Sequence, residues 1–340
     1  MLKISADKLN SLFDAISAKQ TLYITVDNEK GSAEYKKYES GMTLSKSLNT
    51  VRSAKDFFFP QTENLADFKV EGKNIEVIDV REESEDFVVF GVRACDARSF
   101  TILDKVFLSE PVDSYYKNRR EHSTIITMAC TKPAETCFCT AFGMDPTVPE
   151  GDVAVFSDGE NYFFLERTEK GKKFIASISD MLEDGDTAKL NEVQEKARNI
   201  MKKLPLANLS TKSFGGERLM KHFNSEKWAE LSESCLGCGT CTFVCPTCQC
   251  YDIRDFNTGH GIKRFRCWDS CMYSDFTKMA HGNSRNSQLE RFRQRFMHKL
   301  VYFPANNNGE FGCVGCGRCL SKCPVSMNIV KVMKALEDKE

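Results

Sequence analysis

The sequence lacks the features typical of proteins that bind nucleic acid or membranes. Its formal net charge at pH 7 is only −1, so there is no excess of positive charge to attract phosphates or an anionic lipid surface. The longest apolar runs, such as Phe87–Val92, are far shorter than the roughly 20 residues that cross a bilayer. Met1 leads into a polar amphipathic stretch and not into the apolar core of a signal peptide. We therefore expect a cytoplasmic globular protein with no nucleic-acid or membrane partner.

Common nucleotide-binding and catalytic motifs are also missing. No GxGxxG follows a predicted strand and no GxxxxGK[ST] loop occurs, so no motif predicts a bound nucleotide. The GxSxG nucleophile elbow is absent, and the five histidines do not have the spacing of paired metal ligands. The sequence therefore predicts no independent catalytic site.

What the sequence has in abundance is cysteine, with 16 in all, and half of them form a run that occurs twice. The runs are Cys235-x2-Cys238-x2-Cys241-x3-Cys245-Pro246 and Cys313-x2-Cys316-x2-Cys319-x3-Cys323-Pro324. Bacterial ferredoxins use this run twice, and in each the first three cysteines bind one 4Fe–4S cluster while the fourth binds the other. The pattern predicts a first cluster on Cys235, Cys238, Cys241 and Cys323 and a second on Cys245, Cys313, Cys316 and Cys319.

Structural zinc is the alternative, because CxxC pairs also bind zinc. A zinc site takes four ligands in two pairs, however, and has no use for a third evenly spaced cysteine or for the Cys-Pro ending. The pattern therefore favours iron and sulfide. Together with the missing signal peptide, it also favours a reducing cytoplasm over a compartment in which the cysteines would form disulfides.

The other eight cysteines fall into two groups. The first group could bind a third 4Fe–4S cluster and consists of Cys95, Cys130, Cys137 and Cys139. Its alternative is a set of buried core thiols, although packing alone does not explain a Cys-x-Cys pair beside two further cysteines. The second group is Cys248, Cys250, Cys267 and Cys271. Of these, Cys248, Cys250 and Cys271 are candidates for a further cluster or zinc, or they line the first two clusters.

Hydrophobic periodicity indicates an α+β protein. We expect a mixed α/β sheet domain over residues 1–180, a helical bridge over 181–230, and a mainly helical, ferredoxin-like dicluster domain over 231–340. Helices are predicted over residues 1–20, 187–204 and 216–233. Strands are predicted at Thr21–Val26, Ile75–Val80, Phe87–Val92, Thr124–Met128, Val153–Phe156 and Tyr162–Leu165.

Charged residues near the cysteines suggest two further features. A helix over residues 285–300 carries Arg291, Arg293, Arg295 and Lys299, which most simply form a solvated face but could together raise cluster potentials. In the sheet domain, Asp96, Arg93 and Arg98 could form a local ion-pair network.

Several stretches in the same order resemble one protein family. They are Phe57–Glu63, Gly91–Asp96, Leu103–Phe107, Thr136–Cys139, Cys235–Cys250, Trp268–Cys271, the basic helix up to Lys299, and Cys313–Cys319. In these stretches the chain resembles the iron–sulfur beta subunits of cytoplasmic sulfhydrogenases, and it is similar to the corresponding iron–sulfur subunits of anaerobic sulfite reductases. The resemblance covers most of residues 55–340.

The resemblance implies an electron-relay subunit of an anaerobic oxidoreductase complex. A neighbouring subunit, similar to ferredoxin reductases, would hold a flavin and NAD(P), and a terminal subunit would be a nickel–iron hydrogenase or a sirohaem sulfite reductase. The family also includes heterodisulfide-reductase-like flavoprotein complexes. Two other interpretations are a substrate-reducing enzyme with an additional cluster at Cys95, Cys130, Cys137 and Cys139, and a structural scaffold with a redox-silent metal.

Overall fold

The computed structural model describes residues 1–47, 50–82 and 84–338. The strands within these residues are β1 (Leu2–Ser5), β2 (Thr21–Asp27), β3 (Ala33–Lys37), β4 (Thr62–Glu71), β5 (Asn74–Asp79), β6 (Phe87–Arg93), β7 (Ser123–Met128), β8 (Val153–Ser157), β9 (Asn161–Glu166), β10 (Glu183–Asp184), β11 (Tyr251–Asn257), β12 (Ile262–Trp268), β13 (Lys278–Met279) and β14 (Gly282–Asn283). The α-helices are α1 (Leu9–Ser17), α2 (Ala94–Phe107), α3 (Ser114–His122), α4 (Glu169–Ser177), α5 (Thr187–Met201), α6 (Leu219–Phe223), α7 (Lys227–Glu233), α8 (Thr240–Phe243), α9 (Gln288–Met297), α10 (Phe303–Asn306), α11 (Arg318–Ser321) and α12 (Ile329–Leu336).

An eight-stranded mixed sheet forms the centre of the first half of the chain. Its order is β10–β1–β9–β8–β7–β6–β2–β3. The four central strands β8, β7, β6 and β2 run parallel, and the outer strands pair antiparallel. The carboxyl ends of the parallel strands therefore lie along one edge, where α/β proteins commonly bind ligands.

Helices cover both faces of this sheet. On one face, Leu12, Phe13 and Ile16 of α1 pack with the sheet and with α4 in one buried cluster. On the other face, Phe100 and Leu103 of α2 are buried, since apolar residues recur every three or four positions along that helix. Both faces are thus sealed, as a sheet with parallel central strands requires.

A second, four-stranded sheet has the order β11–β12–β4–β5 and joins distant parts of the chain. Strand β12 pairs antiparallel with β4, so that Cys267 lies opposite Thr62 and Ile262 opposite Phe68. Arg266 fixes this contact through a buried ion pair with Glu63, with Nη2 and Oε2 2.5 Å apart. The residues between the two cysteine runs thus contain a hairpin, which the predicted, mainly helical dicluster domain did not include.

The α+β fold class is confirmed, and the predicted strands correspond to β2 and β5–β9. Two predicted helices differ. The helix over residues 1–20 was wrong at its start, because Leu2–Ser5 pairs as a strand with β9 and β10. The helix over residues 216–233 is broken between α6 and α7, where the chain turns and the Trp228 indole N–H donates to the His222 carbonyl oxygen at 2.6 Å. Among the described residues, no helix has both the length and the apolar character needed to cross a membrane.

Candidate metal centres

The two cysteine runs fold into the same local structure. In each, a glycine with positive φ precedes a short helix: Gly239 (φ 72°) precedes α8, and Gly317 (φ 76°) precedes α11. Helices α8 and α11 pack against each other, which brings the two runs side by side. The repeated sequence therefore yields a repeated local fold.

Four cysteines of the predicted second cluster meet at one cavity. Cys245 comes from the first run, and Cys313, Cys316 and Cys319 come from the second. Apolar Val314 and Ile329 and the basic Arg295 and Lys299 also line this cavity. The hydrogen bond from the Cys248 thiol and the nearby Lys299 ammonium lower the pKa of Cys245, which favours the thiolate that iron needs.

The cysteines of the predicted first cluster lie nearer the surface. Cys235 and Cys241 pack against the core of the second half of the chain, and Cys238 is exposed. Cys323 follows α11, and its Sγ lies 3.3 Å from the Met327 carbonyl oxygen. That these four share one cluster stays a prediction.

The four cysteines of the predicted third site also line a common cavity. Cys95 lies in the first turn of α2, directly after β6, while Cys130, Cys137 and Cys139 lie after β7. The cavity is therefore at the carboxyl edge of the parallel strands. Burial and then neighbouring thiols raise the pKa of Cys139 to about 12, and burial raises that of Cys130 to about 11. The same cavity is lined by Gly315 and Cys316 of the second run.

Two glycines allow this close approach between the sheet domain and the second run. A Cβ added to Gly315 (φ 61°) would lie 2.5 Å from the Phe138 carbonyl and 2.6 Å from the Cys139 Cα. The Phe138 N–H donates to the Gly315 carbonyl oxygen at 2.9 Å. At Gly317 a Cβ would meet the backbone of Thr136. The Cys137–Cys139 loop and the second run are thus in direct backbone contact.

Three buried cations surround the cysteines without a carboxylate partner in the described part of the chain. Lys55 donates to the Cys248 carbonyl oxygen at 3.0 Å and lies over the Trp268 ring. Lys299 donates to Thr247 Oγ1 at 2.7 Å. Arg295 is only 3% exposed, and its buried Nε and Nη1 have no hydrogen-bond partner within the described ranges of the chain. Uncompensated buried charge is costly, so this region fits an anionic occupant.

The buried cations and the nearby thiols also shift each other's pKa values. Burial alone would lower the pKa of Lys299, but attraction to Cys245 and Cys248 raises it above its ordinary value. Interpreting the basic helix as a solvated face was therefore wrong for Arg295 and Lys299, which are both buried. Helix α9 begins with a capping box between Ser287 and Glu290, and Arg295 is buried in it. Lys299 is buried in the π-helical turn His298–Tyr302 that continues the helix.

Asp96 takes part in a buried ion pair with a residue far away in the sequence. Arg318, between Cys316 and Cys319, donates from Nη1 and Nη2 to the two Asp96 oxygens at 2.6 and 2.8 Å. The predicted local network was wrong, because Arg98 pairs with Glu150 and Glu310, each at 2.9 Å. A bidentate pair of this kind locks the second run onto α2.

The second group of extra cysteines is only partly brought together. Hydrogen bonds connect Cys248 to Cys245 and Cys271 to Cys250, and the latter lowers the pKa of Cys250 to about 7. Cys267 lies on β12 opposite Asp252, and its pKa is raised by burial and changed by the charges of Arg254, Asp252 and Asp269, not by the other thiols. Whether Cys248, Cys250 and Cys271 bind metal stays a prediction.

The arrangement fits clusters better than single ions. Tetrahedral zinc needs its sulfur donors about 2.3 Å from a common point. Cysteines around a cavity, with buried cations beside it, suit a larger anionic cofactor.

Comparison with known proteins agrees with this chemistry. A family model described as a 4Fe-4S dicluster domain matches residues 234–327. The chain is also 35% identical over 294 residues to sulfhydrogenase 2 subunit beta of Pyrococcus furiosus, covering 85% of this chain and 84% of that protein. The chain belongs to the sulfhydrogenase beta-subunit family. No solved structure matches it.

This member of the sulfhydrogenase beta-subunit family is therefore an iron–sulfur electron-transfer subunit, and the resemblance seen in its sequence is confirmed. Sequence reasoning did not single out two buried cations that the fold places beside the candidate sites, Lys55 and Arg318. Arg318 could have been noticed, since it lies between the predicted ligands Cys316 and Cys319, where the other residue is Gly317. Lys55 carries no such signal, because only the fold brings it to Cys248.

Proposed function

We propose that this chain relays electrons from a partner subunit that binds flavin and NAD(P) to a terminal redox subunit, or in the reverse direction, in a reducing, anaerobic cytoplasm. The name of the Pyrococcus relative favours a hydrogenase as the terminal subunit over a sulfite reductase or a heterodisulfide-reductase-like protein. Two 4Fe–4S clusters are held by the eight cysteines of the doubled run. Such clusters, when bound, accept and donate single electrons.

One observation supports this function above the others: three buried cations have no carboxylate partner among the residues that the structure describes. Lys55, Arg295 and Lys299 are 1%, 3% and 5% exposed. Each lies beside cysteines of the doubled run or of the loop that follows it. Positive charge at these positions stabilises a more negative, reduced cofactor, which raises its reduction potential. A purely structural metal site has no need of this charge.

The chain's residues also control access to the two sites. Cys316 and Val314 of the second run are buried, which excludes water from that site. Leu236 of the first run is 67% exposed beside the exposed Cys238. An exposed apolar side chain next to a ligand suits contact with a partner subunit. We assign the first run to the partner-facing side.

The alternative of a substrate-reducing enzyme is less well supported. It requires an iron with an open position at Cys95, Cys130, Cys137 and Cys139. Four cysteines line that cavity, enough to supply all four corners of a cubane.

The test uses the full chain, purified without oxygen. Alone, it should not oxidise NADH or NADPH, although dithionite should produce EPR signals of reduced 4Fe–4S clusters. When a flavin-containing partner subunit is present, NAD(P)H should produce the same signals. The matched control is Cys267→Ala, which removes a cysteine of β12 that is not part of the doubled run and should behave as the unaltered chain does. NAD(P)H oxidation by the isolated chain would refute the relay.

A further inference from the structure

We propose that the cavity at the carboxyl edge of the sheet holds a third 4Fe–4S cluster, ligated by Cys95, Cys130, Cys137 and Cys139, next to the second ferredoxin-type site. The inference rests on the proposed function only in assigning the other two clusters to the doubled run. It concerns cysteines outside residues 234–327, the part of the chain that matches the dicluster domain.

The first argument is convergence. These cysteines come from two separate segments, the start of α2 and the loop after β7, yet all four line one cavity. Buried cysteines that merely fill a core behave as small hydrophobes and have no reason to face a common space. Four thiols around one cavity are the ligand set of a cubane.

The second argument is the chemistry of the walls. Apart from the thiols, the cavity is lined by small or apolar residues, including Ala94, Pro133 and Met201. Among the described residues that line it, Arg93 is the one charged side chain, and none is a carboxylate. Calcium and magnesium require oxygen ligands and are unsuited to this site. Soft sulfur donors beside a positive side chain suit an anionic iron–sulfur cluster.

The third argument is the position beside the second ferredoxin-type site. Cys316 lines both cavities, so the two sites share a wall. Gly315 permits the contact, since a Cβ there would collide with Phe138 and Cys139. The bidentate pair between Arg318 and Asp96 fixes Cys95 and Cys316 relative to each other, because each ion-pair partner is near one of these cysteines in sequence. A third one-electron centre here would extend the relay into the sheet domain.

The experiment measures iron and acid-labile sulfide in the full chain purified without oxygen. We expect about twelve irons per chain, as three cubanes require. The double variant Cys137→Ala/Cys139→Ala should lose about four irons and keep the EPR signals of the other two clusters. The control Cys267→Ala should lose none. Zinc is measured in parallel.

About eight irons in the unaltered chain, with no loss in the double variant, would overturn the proposal. So would about eight irons together with one zinc that the double variant loses. If the double variant does not fold, a count of about eight irons in the unaltered chain still overturns the proposal. A count of eight leaves the relay function intact, whereas NAD(P)H oxidation by the isolated chain leaves the third cluster intact, so the two proposals can fail separately.

Discussion

The two cysteine runs have the same spacing but opposite surroundings. In the second residue of each run, Leu236 is 67% exposed while Val314 is 2% exposed. At the second cysteine, Cys238 is exposed while Cys316 is buried. The first run faces outward, and the second is pressed against the sheet domain. Ligand spacing thus determines which cofactor binds, and the surroundings determine what each site can contact.

Removal of one cysteine from each run should have the largest effect and test this difference. Cys238→Ala should cost about four irons while the fold is kept, because the side chain is at the surface. Cys316→Ala should cost the second cluster and also lower stability, because its side chain lines two cavities. Iron analysis measures the loss of a cluster, and the thermal unfolding midpoint measures the loss of stability. Equal midpoints for the two variants would contradict the comparison.

Equivalent glycines offer a sharper version of the same test. Gly237 and Gly315 both have positive φ, at 65° and 61°. A Cβ at Gly237 would meet only the flexible end of Gln288, whereas at Gly315 it would meet backbone of Phe138. Gly315→Ala should therefore destabilise the protein by about 2 kcal/mol more than Gly237→Ala. Denaturant unfolding without oxygen measures this, and a smaller loss for Gly315→Ala would show that the runs are not packed as described.

The buried Arg295, which lies near cysteines of both runs, should raise the reduction potentials of the clusters. Arg295 donates to the Cys241 carbonyl oxygen at 3.2 Å and lies near Cys319. Arg295→Leu should lower cluster potentials by on the order of 50–100 mV, since a buried positive charge is lost. The control Arg293→Leu removes a charge from the same helix, at a side chain that lies over Phe223. An EPR-monitored redox titration measures the cluster potentials. Equal shifts of these potentials in Arg295→Leu and Arg293→Leu would contradict the role of Arg295.

The smallest expected effect concerns the start of α9, which carries Arg295. Ser287 accepts the Glu290 N–H and closes a capping box. Ser287→Ala should cost about 1 kcal/mol of stability and leave the iron content unchanged. Thermal unfolding and iron analysis together check this. Loss of iron would mean that the helix start, and not only its buried cations, shapes the cluster sites.

Local patterns predicted much of this molecule, and long-range contacts account for what they missed. Alternating and periodic apolar residues indicated β2, β6 and α5, because burial of one face is encoded locally. The matching 4Fe-4S dicluster domain was indicated by cysteine spacing alone, and the individual ligands stay a prediction. The pairing of β12 with β4 and of Arg318 with Asp96 could not be predicted, since each joins segments far apart in the sequence.

The four-stranded sheet pairs β4 with β12, which is synthesised much later, and this affects folding during translation. The Trp268 indole donates to the Phe59 carbonyl oxygen across 209 residues of sequence, and β12 pairs with β4 beside this contact. At ~5–20 residues per second, a ribosome needs roughly 10 to 40 seconds to cover that distance. During this interval β4 has an unpaired edge, which is a template for misplaced pairing. Cys95, Cys130, Cys137 and Cys139 all emerge in the same interval, before the second run that packs against them exists.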